Sequence, residues 1–176
     1  TIYAHDEVIA LLKDMAGKLL QKKETVFIDD RLHLQVVEDG ESIKILDKKV
    51  TFFDIQSTKA KQFGFCMELG KGEKLTCCGD EPYNVCEKQY VENSTWLLHE
   101  AFCLESQAEI FHPYEKHHST VKDACKLAAE LNVKNLLLYH TEDKNILRRK
   151  ELYTKEGREY FNGNLLIPDD LESVEI

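Results

Sequence analysis

The stretch "STVKDACKLAAELNVKNLLLYH" (residues 119–140) decides the fold class, because it joins a helix directly to a buried strand. Thr120 followed by Asp123 resembles a capping box. The apolar residues after it recur at helical spacing, which predicts a helix over 120–131. The run Asn135–Tyr139 ("NLLLY") is mostly apolar and too short for a helix, so it predicts a strand covered on both faces. A helix that leads straight into such a strand is typical of helices packed on a sheet.

The residues around this stretch extend the pattern. Residues 95–99 predict another buried strand and residues 143–157 another helix, so the second half alternates strands and helices. The first half predicts a helix over 7–22 and a β-meander, and the tail predicts two short strands around Pro168. The meander strands are expected at 25–28, 32–37, 42–46, 50–55, 63–69 and 74–78. We therefore expect an α/β (α+β) fold, with a mixed β-sheet covered by helices.

Composition narrows the class of protein. The 176 residues fit one domain, and the formal net charge of -9 argues against nucleic-acid binding through bulk charge. No apolar run approaches the roughly 20 residues that span a bilayer, so no membrane contact is expected. None of the six cysteines forms a C-x-x-C pair, which favours reduced thiols in a cytoplasmic protein.

Polar residues follow the predicted strands, where α/β proteins tend to bind their ligands. They are Gln56, Asp80, the His99-Glu100 pair and His140. Each also has a purely structural interpretation, as a turn residue or a hydrogen-bonded side chain. His117 and His118 precede the helix start, where unpaired N–H groups favour anions. Either both imidazoles are surface residues beside a cap, or one of them faces an anionic substrate.

Four segments in order carry a family resemblance: "GD" (79–80), "LLHEAF" (97–102), "HHST" (117–120) and "LLLYHTED" (136–143). Together they resemble the C-terminal half of the ribonuclease Z-like branch of the metallo-β-lactamase superfamily. The resemblance covers about residues 50–176. It implies half of an αββα sandwich and a site for two divalent metals, usually zinc. Family members hydrolyse phosphodiesters, including the 3′ trailers of tRNA precursors.

The resemblance also implies roles for individual residues. Asp80 matches the carboxylate that bridges the two metals, and His140 matches the last histidine ligand. His118 matches the histidine that acts as general acid near the scissile phosphate, and Glu100 matches the acid that supports it. Gln56 stands where the family has another histidine ligand, and a neutral amide is a poor zinc ligand.

The family's hallmark, H-x-H-x-D-H, is absent, and neither His5-Asp6 nor His33 matches it. We therefore expect residues 1–176 to be a single domain or a partial domain that lacks the N-terminal metal motif. Such a chain alone is expected to be inactive. An exposed sheet edge would favour a homodimer or pairing with the N-terminal half.

The function expected from the resemblance is that of a metal-dependent phosphodiesterase, with two metals activating water and His118 as general acid. A tRNA 3′-processing endonuclease is the alternative, with tRNA precursor as substrate. Residues 56–80 have room for only one hairpin, and not for the long basic arm that such enzymes often carry. A binding module that has lost its metals, motivated by Gln56, and a purely structural half-domain are the non-enzymatic alternatives.

Overall fold

A computed structural model describes all 176 residues. Nine strands form, which are β1 (Ile2–Ala4), β2 (Leu34–Val36), β3 (Ser42–Ile45), β4 (Lys48–Asp54), β5 (Phe63–Gly70), β6 (Glu73–Cys77), β7 (Trp96–Glu100), β8 (Asn135–Tyr139) and β9 (Asn164–Leu166). Six α-helices form, which are α1 (Asp6–Leu19), α2 (Lys22–Thr25), α3 (Lys88–Val91), α4 (Ala108–Phe111), α5 (Val121–Glu130) and α6 (Arg149–Gly157). Short 3₁₀ helices form at Val85–Glu87, Glu105–Gln107 and Tyr114–Lys116.

The main sheet has seven strands in the order β3-β4-β5-β6-β7-β8-β9. Strands β3 to β6 are antiparallel neighbours, which are the last four strands of the predicted meander, and β6 to β9 are parallel. The predicted mixed sheet is therefore confirmed. The strand expected at 32–37 forms as β2, but it pairs with β1 outside this sheet. Because β7 and β8 are parallel, their carboxyl ends meet at one edge, and the residues that follow them lie close together. Strands β1 and β2 form a separate parallel pair joined through α1.

One face of the main sheet is covered by α5 and α6. Leu97, Leu136 and Leu138 face these helices, and they share one core cluster of 17 buried residues with Val121 and Tyr153. The helices approach the sheet closely at Gly157, where an added Cβ would lie 2.5 Å from Leu165 Cδ2. Gly157 therefore allows the close packing of α6 on the sheet.

The opposite face carries a row of apolar side chains that crosses the sheet. Its members are register partners on successive strands, and every one of them is only partly buried. They are Phe52, Phe65, Cys77, Leu98, Leu137 and Leu166. This apolar row, together with the helix-covered face, gives the sheet two apolar faces, as the inner sheet of a sandwich requires.

Two of the predicted strands are wrong. Residues 25–28 lie at the end of α2 and in a turn, because Gln21 and Glu24 form a capping box that starts a helical turn. The tail forms one strand, β9, and not two, because the segment after Pro168 is held as a turn by ion pairs of Arg149 and Lys150 to Asp169. The helix predicted over 143–157 begins only at Arg149.

The longest helix has 14 residues, and no helix combines the length and apolar character needed to cross a bilayer.

Candidate active site at the carboxyl ends of β6, β7 and β8

Asp80 reaches the site because Gly79 turns the chain sharply after β6. Gly79 has a φ of 76°, and a Cβ at this position would lie 3.1 Å from Ile55 Cδ1. A left-handed conformation in so little space favours glycine. The Tyr139 hydroxyl of β8 donates a hydrogen bond to the Gly79 carbonyl, which ties this turn to the neighbouring parallel strands.

Three of the predicted residues converge on one point. One ligand atom from each of Asp80, His118 and His140 lies within 4.8 Å of the others. Asp80 Oδ1 is 3.2 Å from His140 Nε2 and 3.7 Å from His118 Nδ1. His140 directly follows β8 with a φ of 51°, a conformation that is uncommon outside glycine and recurs at functional sites.

Glu100, at the end of β7, lies behind His118. Its side chain is fully buried, Oε1 accepts a hydrogen bond from the Ser119 backbone N–H, and Oε2 is 3.5 Å from His118 Nδ1. Burial raises the pKa of Glu100 to about 7. The carboxyl thus fixes the segment that carries His118 and orients the Nδ1 edge of its ring.

Both imidazoles lie beside an aromatic ring that the sequence did not single out, and His118 stacks on it. The Phe102 ring lies 5.1 Å from the His118 ring and 6.2 Å from the His140 ring, and the two imidazole rings are 4.8 Å apart. Phe102 follows β7 by two residues, inside the "HEAF" segment. Its ring therefore packs against the His118 imidazole and lies near that of His140.

The other candidates lie elsewhere. His99 is buried on the helix-covered face, because neighbouring strand residues point to opposite faces, and its Nδ1–H donates to the Glu100 carbonyl. His117 is exposed, as predicted, and has a φ of 56°. Gln56 is exposed just after β4, also with positive φ, and its backbone N–H donates to Asp54 Oδ1 at 2.7 Å.

Sequence reasoning also missed the residues that anchor the loop after β4. Buried Glu81, next to Asp80, accepts hydrogen bonds from the Ser57 hydroxyl at 2.6 Å and from the backbone N–H groups of Thr58 and Lys59. These donors lower the pKa of Glu81 against the opposing effect of burial. The loop delivers Lys59 Nζ to 3.3 Å from His118 Nε2. Burial, and then this ammonium, lowers the pKa of His118.

Comparison with known proteins decides the family. The family model described as "Beta-lactamase superfamily domain" matches residues 1–141. This chain belongs to that superfamily. The ribonuclease Z of Bacillus thuringiensis (strain Al Hakam) is 32% identical over 107 residues, which are 60% of this chain and 34% of that protein. The chain thus spans about a third of the length of this curated relative.

Solved structures of the superfamily share the fold. Zn²⁺-bound PqqB from Methylobacterium extorquens superposes with a TM-score of 0.74 at 14% identity, over 99% of this chain and 61% of that one. The short form of human tRNase Z superposes with a TM-score of 0.66 at 17% identity, over 99% of this chain and 66% of that one. The expected metallo-β-lactamase fold and the resemblance to the ribonuclease Z-like branch are confirmed.

The residues present fit the divalent metal that this superfamily fold implies. Asp80 Oδ1, Glu100 Oε2 and His118 Nδ1 are buried, and none of them has a hydrogen-bond partner. A cluster of three such unpaired atoms at one point requires an explanation, and a bound ion is one. A carboxylate oxygen and imidazole nitrogens are also the donors that a divalent metal such as zinc prefers.

Proposed function

We propose that this chain carries the acid-donating part of a metal-dependent phosphodiesterase site, in which Asp80 and His140 bind the divalent metal. The observation that supports this proposal is the convergence of Asp80, His118 and His140 within 4.8 Å, beside buried polar atoms without partners. Zinc is the proposed metal, because the donors are oxygen and imidazole nitrogen. When bound, the metal would activate water and polarise the phosphate.

The ring orientation supports His118 as the general acid. Nδ1 faces the carboxyl groups of Glu100 and Asp80, so Nε2 is the ring atom left to meet a substrate. A lowered pKa makes the imidazolium a readier proton donor. A proton on Nε2 can therefore pass to the leaving oxygen, while Glu100 holds the ring in place.

The number of donors indicates that a two-metal site needs more ligands than these residues supply. Asp80 and His140 are two ligands, Gln56 replaces a third, and the H-x-H-x-D-H motif is absent from this sequence. We infer that the remaining ligands come from a further segment or chain. The apolar row on the main sheet is the surface on which that segment or a second copy would pack. Sedimentation of the isolated chain, with and without such a partner, tests this pairing.

A general phosphodiester substrate is preferred over a tRNA precursor. Between Gln56 and Asp80 the structure has only the β5–β6 hairpin, which leaves no place for a long basic arm. The relatives named ribonuclease Z keep tRNA precursors as the second candidate. The six free cysteines are compatible with the proposed cytoplasmic location.

Hydrolysis of bis(p-nitrophenyl) phosphate in zinc-containing buffer, by this chain together with the segment or chain that supplies the remaining metal ligands, tests the proposed function, with a tRNA precursor as the second substrate. Turnover of the small diester that disappears in the Asp80→Ala variant supports it. Cleavage of the tRNA precursor alone would favour the second candidate. A protein that binds no metal and cleaves neither substrate would favour the binding module.

A further inference from the structure

Lys59 places its ammonium beside His118 without a carboxylate in ion-pair contact. Its Nζ contacts His118 Nε2 at 3.3 Å and forms no ion pair, whereas Lys61, two residues on, pairs with Asp6 at 2.6 Å. An ammonium can only donate hydrogen bonds, so Nε2 is its acceptor in this structure, and Nε2 can carry the proton of a general acid only when Lys59 donates to another acceptor. At 3.3 Å this is a long contact between two polar groups, and an anion can replace the imidazole as the acceptor.

The position of Lys59 is built into the fold. Its backbone N–H donates to the Ser57 hydroxyl at 3.2 Å and to Glu81 Oε1 at 3.3 Å. The main chain at Lys59 is therefore held both within its own loop and to the segment that follows β6. Glu81 directly follows Asp80 in the sequence. The same short segment therefore carries the proposed metal ligand and anchors the loop that carries the lysine.

The ammonium lies where a substrate would have to be. Because Nδ1 of His118 faces Glu100 and Asp80, the Nε2 edge is the side from which a substrate can approach, and Lys59 stands beside it. Lys59 is also exposed, so a ligand from solvent can reach it. The chain as a whole is acidic, with a net charge of -9, and a local cation would offset the repulsion of an anionic substrate.

We propose that Lys59 is a phosphate-binding residue of this site, whose ammonium contacts a non-bridging oxygen of an anionic phosphodiester beside His118. This inference rests on the proposed function and makes it narrower. It assigns the site to anionic phosphoesters rather than neutral carboxylic esters. No bond is formed or broken at Lys59, which binds the substrate as a charged hydrogen-bond donor.

The test compares Lys59→Gln with Lys61→Gln, which removes one positive charge from the same loop away from His118. Two substrates are used, the anionic bis(p-nitrophenyl) phosphate and the neutral p-nitrophenyl acetate. We expect Lys59→Gln to lower kcat/KM for the phosphodiester about 10- to 100-fold, the range for one charged hydrogen bond. Activity on the acetate and the zinc content should stay unchanged, Lys59→Arg should recover most of the loss, and Lys61→Gln should match the wild type.

Three results would overturn the assignment: unchanged phosphodiester kinetics in Lys59→Gln, an equal loss on both substrates, or an equal loss in Lys61→Gln. If the wild type, assayed together with the segment or chain that supplies the remaining metal ligands, hydrolyses neither substrate, the proposed function fails, and Lys59 is tested separately by calorimetric titration with inorganic phosphate. About tenfold weaker phosphate binding by Lys59→Gln than by the wild type then supports the lysine. Equal binding by both, or no binding by the wild type, refutes it.

Discussion

Glu87 gives a quantitative test of how burial acts on a carboxyl group in this fold. It is 1% exposed, and its Oε1 caps the short helix at Val85–Glu87 by accepting the Asn84 N–H at 2.9 Å, while Oε2 has no partner. Burial raises its pKa from 4.5 to about 7. The unfolded chain ionises this carboxyl near 4.5, so the folded state loses stability as the pH rises from 4.5 through 7.

The magnitude follows from the size of this shift. Each pKa unit corresponds to about 1.4 kcal/mol. The raised pKa of Glu87 therefore lowers the free energy of unfolding of the wild type by about 3 kcal/mol at pH 8 and by about 1 kcal/mol at pH 5. Glu87→Gln keeps the oxygen that accepts the Asn84 N–H and cannot ionise. The difference in free energy of unfolding between the variant and the wild type should therefore shift by about 2 kcal/mol in favour of the variant as the pH rises from 5 to 8.

Urea unfolding at a series of pH values measures this difference, and any pH-independent cost of the amide cancels. Glu109→Gln is the matched control, because Glu109 is exposed and lies outside the core. Its pH profile should follow that of the wild type. Parallel profiles for Glu87→Gln and the wild type would refute the argument that Glu87 is a buried carboxyl that stays protonated in the folded state.

Three further substitutions have defined outcomes. His118→Ala should lower phosphodiester turnover by about 10²- to 10⁴-fold, the usual contribution of a general acid, with little change in the melting temperature; unchanged turnover would remove His118 from this role. Glu81→Gln turns an amide N–H toward the donors of the loop and should cost about 1–3 kcal/mol in urea unfolding; an unchanged midpoint would show that the loop does not depend on Glu81. Gly157→Ala places a methyl group 2.5 Å from Leu165 Cδ2 and should also destabilise by about 1–3 kcal/mol, whereas a gain in stability would show that α6 can move away from β9.

Local patterns predicted the second half of the fold well. The capping box at Thr120, the apolar stripe of α5 and the short apolar run of β8 act over neighbouring residues, so the sequence alone reveals them. The strand predicted at residues 25–28 failed for the opposite reason. Its apolar residues have no strand to pair with, and the capping interaction of Gln21 with Glu24 decides the local structure.

In the candidate site, too, motif residues could be predicted from the sequence, and a contact between distant segments could not. The resemblance located Asp80, His118 and His140, which the structure brings together. It could not locate Lys59, because its place beside His118 depends on hydrogen bonds between Glu81 and a loop more than 20 residues earlier in the chain. No spacing rule predicts such a contact, since it arises only when the ends of β4 and β6 are brought together.

Zinc titration followed by NMR of the histidine side chains tests the central claim most directly. We predict that zinc shifts the imidazole signals of His140, and that Asp80→Ala abolishes this shift at the same zinc concentration. Exposed His33, far from the site in sequence, serves as the internal reference for nonspecific binding. His140 signals that do not respond to zinc, or that respond equally in Asp80→Ala, would contradict a metal site built on Asp80 and His140.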